Sequence, residues 1–195
     1  MTKIASVERN TKETQIKLTL TLDGTGQVVI QTGIGFFDHM LTLFTVHGLF
    51  NLDLSASGDL EVDFHHTVED VGLSLGEAIN VALGDRKGIC RFGHAVVPMD
   101  ESLAEVTVDL SRRPFLVFQP PRVDMMPEGF DFSLVKEFFQ ALSNTSGMNL
   151  HIRVPYGENG HHVIEAIFKA FARALSQAVQ SNPRISGVLS SKGVL

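Results

Sequence analysis

The feature that most constrains this chain is a motif that occurs twice. His65-His66-Thr67-Val68-Glu69-Asp70 is echoed 96 positions later by His161-His162-Val163-Ile164-Glu165-Ala166, in a chain with eight histidines. Each copy opens a long stretch with apolar residues at helical spacing; in the first, Val68, Val71, Leu75, Ile79 and Leu83 form the stripe. On a helix, residues three and four apart share a face, so Glu69 can reach a centre shared with His65 or with His66. The two histidines sit about 100° apart round the axis and do not easily grip one ion together. Each HHxxE is therefore expected to serve two metal centres. Imidazole with carboxylate, and no thiolate, suits manganese, iron, cobalt, nickel or zinc.

The rest of the chain repeats with the motif. Gln15 to Leu22 alternates apolar and polar residues as a half-buried strand, and Asp23-Gly24-Thr25-Gly26 is expected to turn it into a hairpin with Gln27 to Gln31. A helix follows from Phe36 through His39 toward Gly48, then a strand from Phe50 to Ala56, then the first HHxxE helix to about Leu83 and a Gly84–Gly88 loop. From Arg91 the plan recurs: strands at Glu105–Leu110 and Pro114–Phe118, a breaker-rich loop from Pro120 to Gly129, a helix from Phe132 to Leu142, a strand from Asn149 to Val154, and the second HHxxE helix to about Val179. The expected fold is α+β, one domain over residues 1–195 made of two structural repeats, about 1–90 and 91–195.

Aligning the repeats sets the helix carrying His39 opposite the helix carrying Glu137, 26 and 24 residues before the respective first histidines. Either residue can complete a coordination shell. On the second HHxxE helix, His161, Glu165, Lys169 and Arg173 form a polar stripe, with Lys169 about 6 Å along the axis from Glu165, where a cation suits a phosphate. The plain alternative is an i,i+4 ion pair. Arg91, Arg112-Arg113 and Ser190-Ser191-Lys192-Gly193 offer further cations, hydroxyls and backbone donors to an anion. Asp100, Glu101 and Glu13 are acids without a distinguishing pattern, His47 and His94 are expected to be structural, and His151 faces the polar side of its strand as a further candidate.

The net charge of −6 provides no general attraction to nucleic acid or an anionic membrane, so an anionic substrate must be held by a few local cations. A single cysteine, Cys90, rules out an internal disulfide and fits a reducing compartment. The first residues lack an apolar signal region and no run approaches 18 apolar residues, so a cytoplasmic protein is the expectation.

Seven segments in order, Arg9–Thr14, Phe36–Leu41, Asp63–Asp70, Arg91–Gly93, Pro98–Glu101, His161–Ala170 and Ser190–Leu195, make the chain resemble the imidazoleglycerol-phosphate dehydratase family. The resemblance implies a manganese-dependent hydro-lyase of L-histidine biosynthesis. It would convert D-erythro-imidazole-glycerol phosphate, a phosphorylated imidazole, to imidazole-acetol phosphate through a metal-bound imidazolate and a diazafulvene-like intermediate. It also implies a ribosomal protein S5 domain 2-like fold, each half a mixed sheet covered by two helices, and a homo-oligomer of 24 subunits with two Mn2+ per active site at subunit interfaces. Carried over by motif, the metal ligands are His39, His65, His66, Glu69, His161, His162 and Glu165, with the eighth position on Glu137 and His151 kept as its alternative. Arg91, Arg113, Lys169, Ser191 and Lys192 match phosphate-binding positions, Glu13 a substrate-contacting glutamate, and Glu165 and Glu13 are candidates for proton transfer. Arg112 stands where the family often has glycine and receives no role. A metal-storage protein and a dinuclear phosphoesterase are the rival readings: the first needs no phosphate residues, and the second leans on aspartates that are scarce here.

Overall fold

Alternation and helical periodicity become structure in both halves. The computed structural model describes residues 3–123 and 129–195, so half of the Pro120–Gly129 segment expected to be a loop, residues 124–128, lies outside the described residues. The first half runs β1 (Ile4–Asn10), β2 (Thr14–Thr21), β3 (Val28–Gln31), α1 (Gly35–Gly48), β4 (Asn51–Gly58) and α2 (His65–Leu83). The second runs β5 (Phe92–Met99), β6 (Ser102–Asp109), β7 (Phe115–Gln119), α3 (Ser133–Ser146), β8 (Asn149–Tyr156) and α4 (Gly160–Val179). Each half is a four-stranded mixed sheet with the same order, β1-β2-β4-β3 and β5-β6-β8-β7. The duplicated α+β unit is therefore present in its connectivity as well as in its motif.

One expectation fails. No hairpin joins the strand ending at Thr21 to the one starting at Val28; β3 instead runs parallel to β4, with Val28 opposite Leu52. The true hairpins are β1–β2, with Val7 opposite Leu18, and β5–β6, with Ala95 opposite Val106. The reason is chemical: Asn51 Oδ1 accepts the amides of Thr25 at 2.8 Å and Gln27 at 3.1 Å. These bonds carry the chain past the end of β4 rather than folding it back on β2. His94 lies within β5.

Each sheet buries one face under its own half's HHxxE helix, but the halves interlock through the other helices. Helix α1 packs on α4 and α2 packs on α3. Phe138 stacks on Phe168 at 5.4 Å and meets Phe37 edge-on at 5.4 Å, while Phe171 lies 5.2 Å from Phe139 and 5.5 Å from Phe44. These six rings from α1, α3 and α4 form one continuous buried cluster. Where α2 crosses α3, Gly72 allows backbone approach: a Cβ there would sit 2.7 Å from the Phe138 carbonyl oxygen. Asp70, buried one residue after Glu69, accepts the Thr14 hydroxyl and the Arg9 guanidinium, the latter at 2.9 Å, and so pins the first turn of α2 to its sheet.

Phe138→Ala is expected to destabilise the chain by about 3–5 kcal/mol, read as a lower denaturant midpoint. Asp131 Oδ1 accepts the amide and hydroxyl of Ser133 at 2.7 and 2.6 Å, which holds its carboxyl below the usual value. A carboxyl lowered in the folded state stabilises fully above its ordinary pKa and loses that contribution as pH falls through the lowered one. Asp131→Ala is thus expected to cost about 0.5–1 kcal/mol at neutral pH, and the gap from the parent chain should begin to shrink below about pH 4 and close at lower pH. Denaturant midpoints across pH check both the size and the sign.

Candidate active site

Both HHxxE helices start the same way. Asp63 Oδ1 accepts the His65 amide at 2.7 Å, and Asn159 Oδ1 accepts the His161 amide at 2.9 Å. Each side chain satisfies an orphan donor of the first turn and fixes where the histidines begin. Within each motif the first histidine and the glutamate then share a face: His65 Nε2 lies 3.6 Å from Glu69 Oε2, and His161 Nε2 lies 3.2 Å from Glu165 Oε2. The second histidine leaves on another side, its ring centre 6.0 Å from the first in one motif and 6.2 Å in the other.

In the second motif a third ligand arrives from the other half. His39, the fifth residue of α1, places Nε2 3.5 Å from Glu165 Oε2. The donor atoms of His39, His161 and Glu165 all lie within 4.8 Å of one another, the one such group of three or more among the described residues. Cis donors round an ion with bonds near 2.1 Å are separated by about 3 Å, so these atoms fit a divalent transition metal with little rearrangement. Phe36 lies edge-on against His161 at 5.2 Å and closes one side.

Glu165 divides its oxygens. Oε2 faces the two imidazoles, and Oε1 accepts a 2.5 Å bond from Lys169 Nζ. Burial pushes this carboxyl up, but Lys169 and His39 outweigh it and hold the group below its usual value, so it is a carboxylate at neutral pH. In the first motif the place of Lys169 is taken by Leu73.

The matching group around α2 does not close within one chain. Glu137 is the fifth residue of α3, as His39 is of α1, and α3 packs on α2, so the duplication sets it opposite the His65–Glu69 face. Even so, neither Glu137 nor His151 joins a three-ligand group among the described residues, and His151 projects from β8 to solvent. His66 and His162 also point elsewhere, each with Nδ1 on a carboxylate: His66 on Asp59 at 3.0 Å and His162 on Glu101 at 2.7 Å.

A second site lies at the end of the chain. Arg91, Ser111, Arg112, Arg113, Ser190, Ser191 and Lys192 line a hollow of about 400 Å³. Arg91 is buried and gives Nε and Nη2 to Asp109 at 2.7 and 3.1 Å and one Nη1 proton to the Leu189 carbonyl. A guanidinium has five protons, so two remain for an anion. Both Arg91 and Arg112 adopt left-handed backbone, φ 68° and 58°. At Arg112 that conformation suits glycine, and its guanidinium compensates by donating to the Gly84 carbonyl. Lys169 does not line this hollow. Glu13 sits exposed on the β1–β2 turn, its carbonyl accepting the Asp59 amide at 3.2 Å.

Two buried groups here were beyond sequence reasoning. Ser111 Oγ has no protein partner among the described residues. Arg86, also fully buried, donates to Asn80 Oδ1 and the Ser146 carbonyl, and ties the ends of α2 and α3 to the loop delivering Arg91. Burial pulls its guanidinium down to about 10.

A family model for imidazoleglycerol-phosphate dehydratase matches residues 32–175, a span that includes every ligand candidate from His39 to Glu165. The chain belongs to the imidazoleglycerol-phosphate dehydratase family. Relatives of that name from Desulfosudis oleivorans and Geobacter sulfurreducens are 58% and 57% identical over 195 residues, the whole of both chains in each pair. The crystal structure of the Staphylococcus aureus dehydratase aligns with a TM-score of 0.83 at 40% identity, covering 92% of this chain and 99% of that one. The Pyrococcus furiosus structure, solved in complex with (S)-C348, aligns with a TM-score of 0.85 at 38% identity, covering 97% and 100%. Among the described residues no helix is long and apolar enough to cross a membrane.

Because Asp109 orients Arg91 and Arg91 holds the Leu189 carbonyl, Asp109→Ala is expected to loosen the segment 188–193. Hydrogen–deuterium exchange of that peptide should quicken while exchange in α4 stays unchanged.

Proposed function

We propose that this chain is the hydro-lyase that converts D-erythro-imidazole-glycerol phosphate to imidazole-acetol phosphate and water in L-histidine biosynthesis, with manganese at the histidine–glutamate groups. The observation that carries this reading is the pairing, in a family member, of an imidazole–carboxylate group at metal-ligand spacing with a cationic hollow large enough to take a phosphate. The proposed metal ligands are His39, His65, His66, Glu69, Glu137, His161, His162 and Glu165. Their side chains do not all gather within one chain, which supports sites completed where subunits meet. The 24-subunit shell rests on family resemblance.

In this reading Arg91, Arg113, Ser191 and Lys192 receive the phosphate. Arg113 and Lys192 contribute charge that no described acid pairs with, and Ser191 adds a hydroxyl. Lys169 serves a neighbouring phosphate and at the same time keeps Glu165 ionised. Manganese, when bound, supplies Lewis acidity to the substrate imidazole, easing loss of its N–H proton. The net reaction removes a carbon-bound proton and a hydroxyl as water, leaving an enol that becomes the ketone. Glu165 is the carboxylate that groups with His39 and His161, and Glu13 is an exposed carboxylate available to an adjoining subunit; we assign proton transfer to these two. The phosphate residues hold the reacting carbons in place, which converts binding into orientation.

Chelator-stripped protein is expected to form no ketone until Mn2+ is restored. Full turnover without any metal would remove manganese from the reading. Arg113→Ala should raise KM roughly ten- to a hundredfold with a smaller change in kcat, as expected when a charge-assisted phosphate contact is lost. An unchanged KM would place the phosphate elsewhere.

A further inference from the structure

In both halves the second histidine of HHxxE rests its Nδ1 on a carboxylate. His66 Nδ1 lies 3.0 and 3.2 Å from the two oxygens of Asp59, and His162 Nδ1 lies 2.7 Å from Glu101 Oε2. The other Glu101 oxygen is fully engaged: Oε1 accepts the Asn159 amide and the Ser102 hydroxyl, both at 3.0 Å, and lies 3.4 Å from the Glu158 amide. The carboxylate is thus locked before it meets the imidazole. Since a carboxylate only accepts, each Nδ1 carries the hydrogen, and in the neutral ring the lone pair is left on Nε2.

The two carboxylates are not copies of each other. Asp59 follows β4, in the loop that leads into α2, whereas Glu101 sits on the β5–β6 turn, 61 residues before His162. The first-half turn that corresponds to Glu101's is Thr11–Glu13, and the second-half loop that corresponds to Asp59's is Gly157–Asn159. Turn and loop touch in each half, through the Asp59 amide on the Glu13 carbonyl and through the Asn159 amide on Glu101. The two halves therefore reach the same imidazole–carboxylate contact from exchanged positions. Simple inheritance of one residue through the duplication does not produce that; a shared demand on the second histidine does.

We infer that Asp59 and Glu101 are positioning residues that fix His66 and His162 as Nδ1–H tautomers and aim their Nε2 atoms outward as metal ligands. The inference rests on the manganese reading above and adds to it the groups that orient two of its ligands. Outward, His162 Nε2 meets only the exposed Asp100 carboxylate among the described residues, at 3.7 Å, and is open to a metal shared with another subunit. Carboxylates behind metal-binding imidazoles stiffen the ring and strengthen the ligand, and their loss weakens metal binding by about 10- to 100-fold.

Nitrogen-15 NMR of histidine-labelled, metal-free protein at mildly alkaline pH reads the tautomers, and titration with Mn2+ reads affinity. The parent chain is expected to show His66 and His162 as Nδ1–H. Glu101→Ala should release His162 alone, and Asp59→Ala His66 alone, each weakening Mn2+ binding about 10- to 100-fold. In a His162→Ala background, Glu101→Ala should add no further loss. Failure of the parent chain to bind Mn2+ would overturn the metal reading, and this inference with it, before any variant is compared. Parent chain binding Mn2+ while both variants keep the Nδ1–H tautomer and parental affinity would overturn the positioning role alone. The two variants act in separate halves, so a fold defect in one leaves the other decisive.

Discussion

Helix α1 of the first half lies on α4 of the second, and α2 lies on α3, so the apolar faces that each repeat cannot cover alone are buried by the other. The ring cluster of Phe37, Phe44, Phe138, Phe139, Phe168 and Phe171 is the material expression of that exchange. It also sets the chemistry. His39 reaches Glu165 because α1 is pressed onto α4, not because the two residues are near in sequence. A shift along this seam of even an ångström would open the 3.5 Å contact between them.

Charge is arranged against the overall sign of the molecule. The chain carries −6, yet three arginines and Lys192 surround one hollow, with Asp109 the carboxylate held by Arg91 behind it. Two of those arginines sit in left-handed backbone that side chains ordinarily avoid at a cost of about 1–2 kcal/mol. Asp109, Leu189 and Gly84 supply the compensating bonds. Strain of this kind persists where the surroundings over-determine a conformation, and it turns the guanidinium groups toward a shared space.

Much of this was legible in the sequence because it is periodic. The HHxxE helices, their extents to Leu83 and Val179, and the repetition of the plan follow from apolar spacing and a doubled motif. The opposition of His39 and Glu137 followed from counting back from each motif, and both proved to be fifth residues of 14-residue helices. What failed was partnership between strands: alternation marks Val28–Gln31 as a strand but carries nothing about whether it pairs with β2 or β4, and a single asparagine, Asn51, decided the path. Strands β1 and β5 went unrecognised for a related reason, since charged and polar residues interrupt Ile4–Asn10 and Pro98 interrupts the latter. Glu101 stood among the candidate acids, but nothing in the sequence tied it to His162, which lies 61 residues away and meets it only through a hairpin turn.

The crossed packing of helices also has a consequence for symmetry. A lone repeat would expose the faces of both its helices, and two separate copies could cover them only by setting the first helix of each on the second helix of the other. That arrangement is an isologous pair with a twofold axis between the copies. In the present chain residues 84–91 join the two halves, so the contact that two separate copies would make by encounter is made as a folding step within one molecule. Within one chain the halves need not match: Leu73 stands at the position of Lys169, and Glu137 at that of His39, which no symmetric pair of identical chains can do.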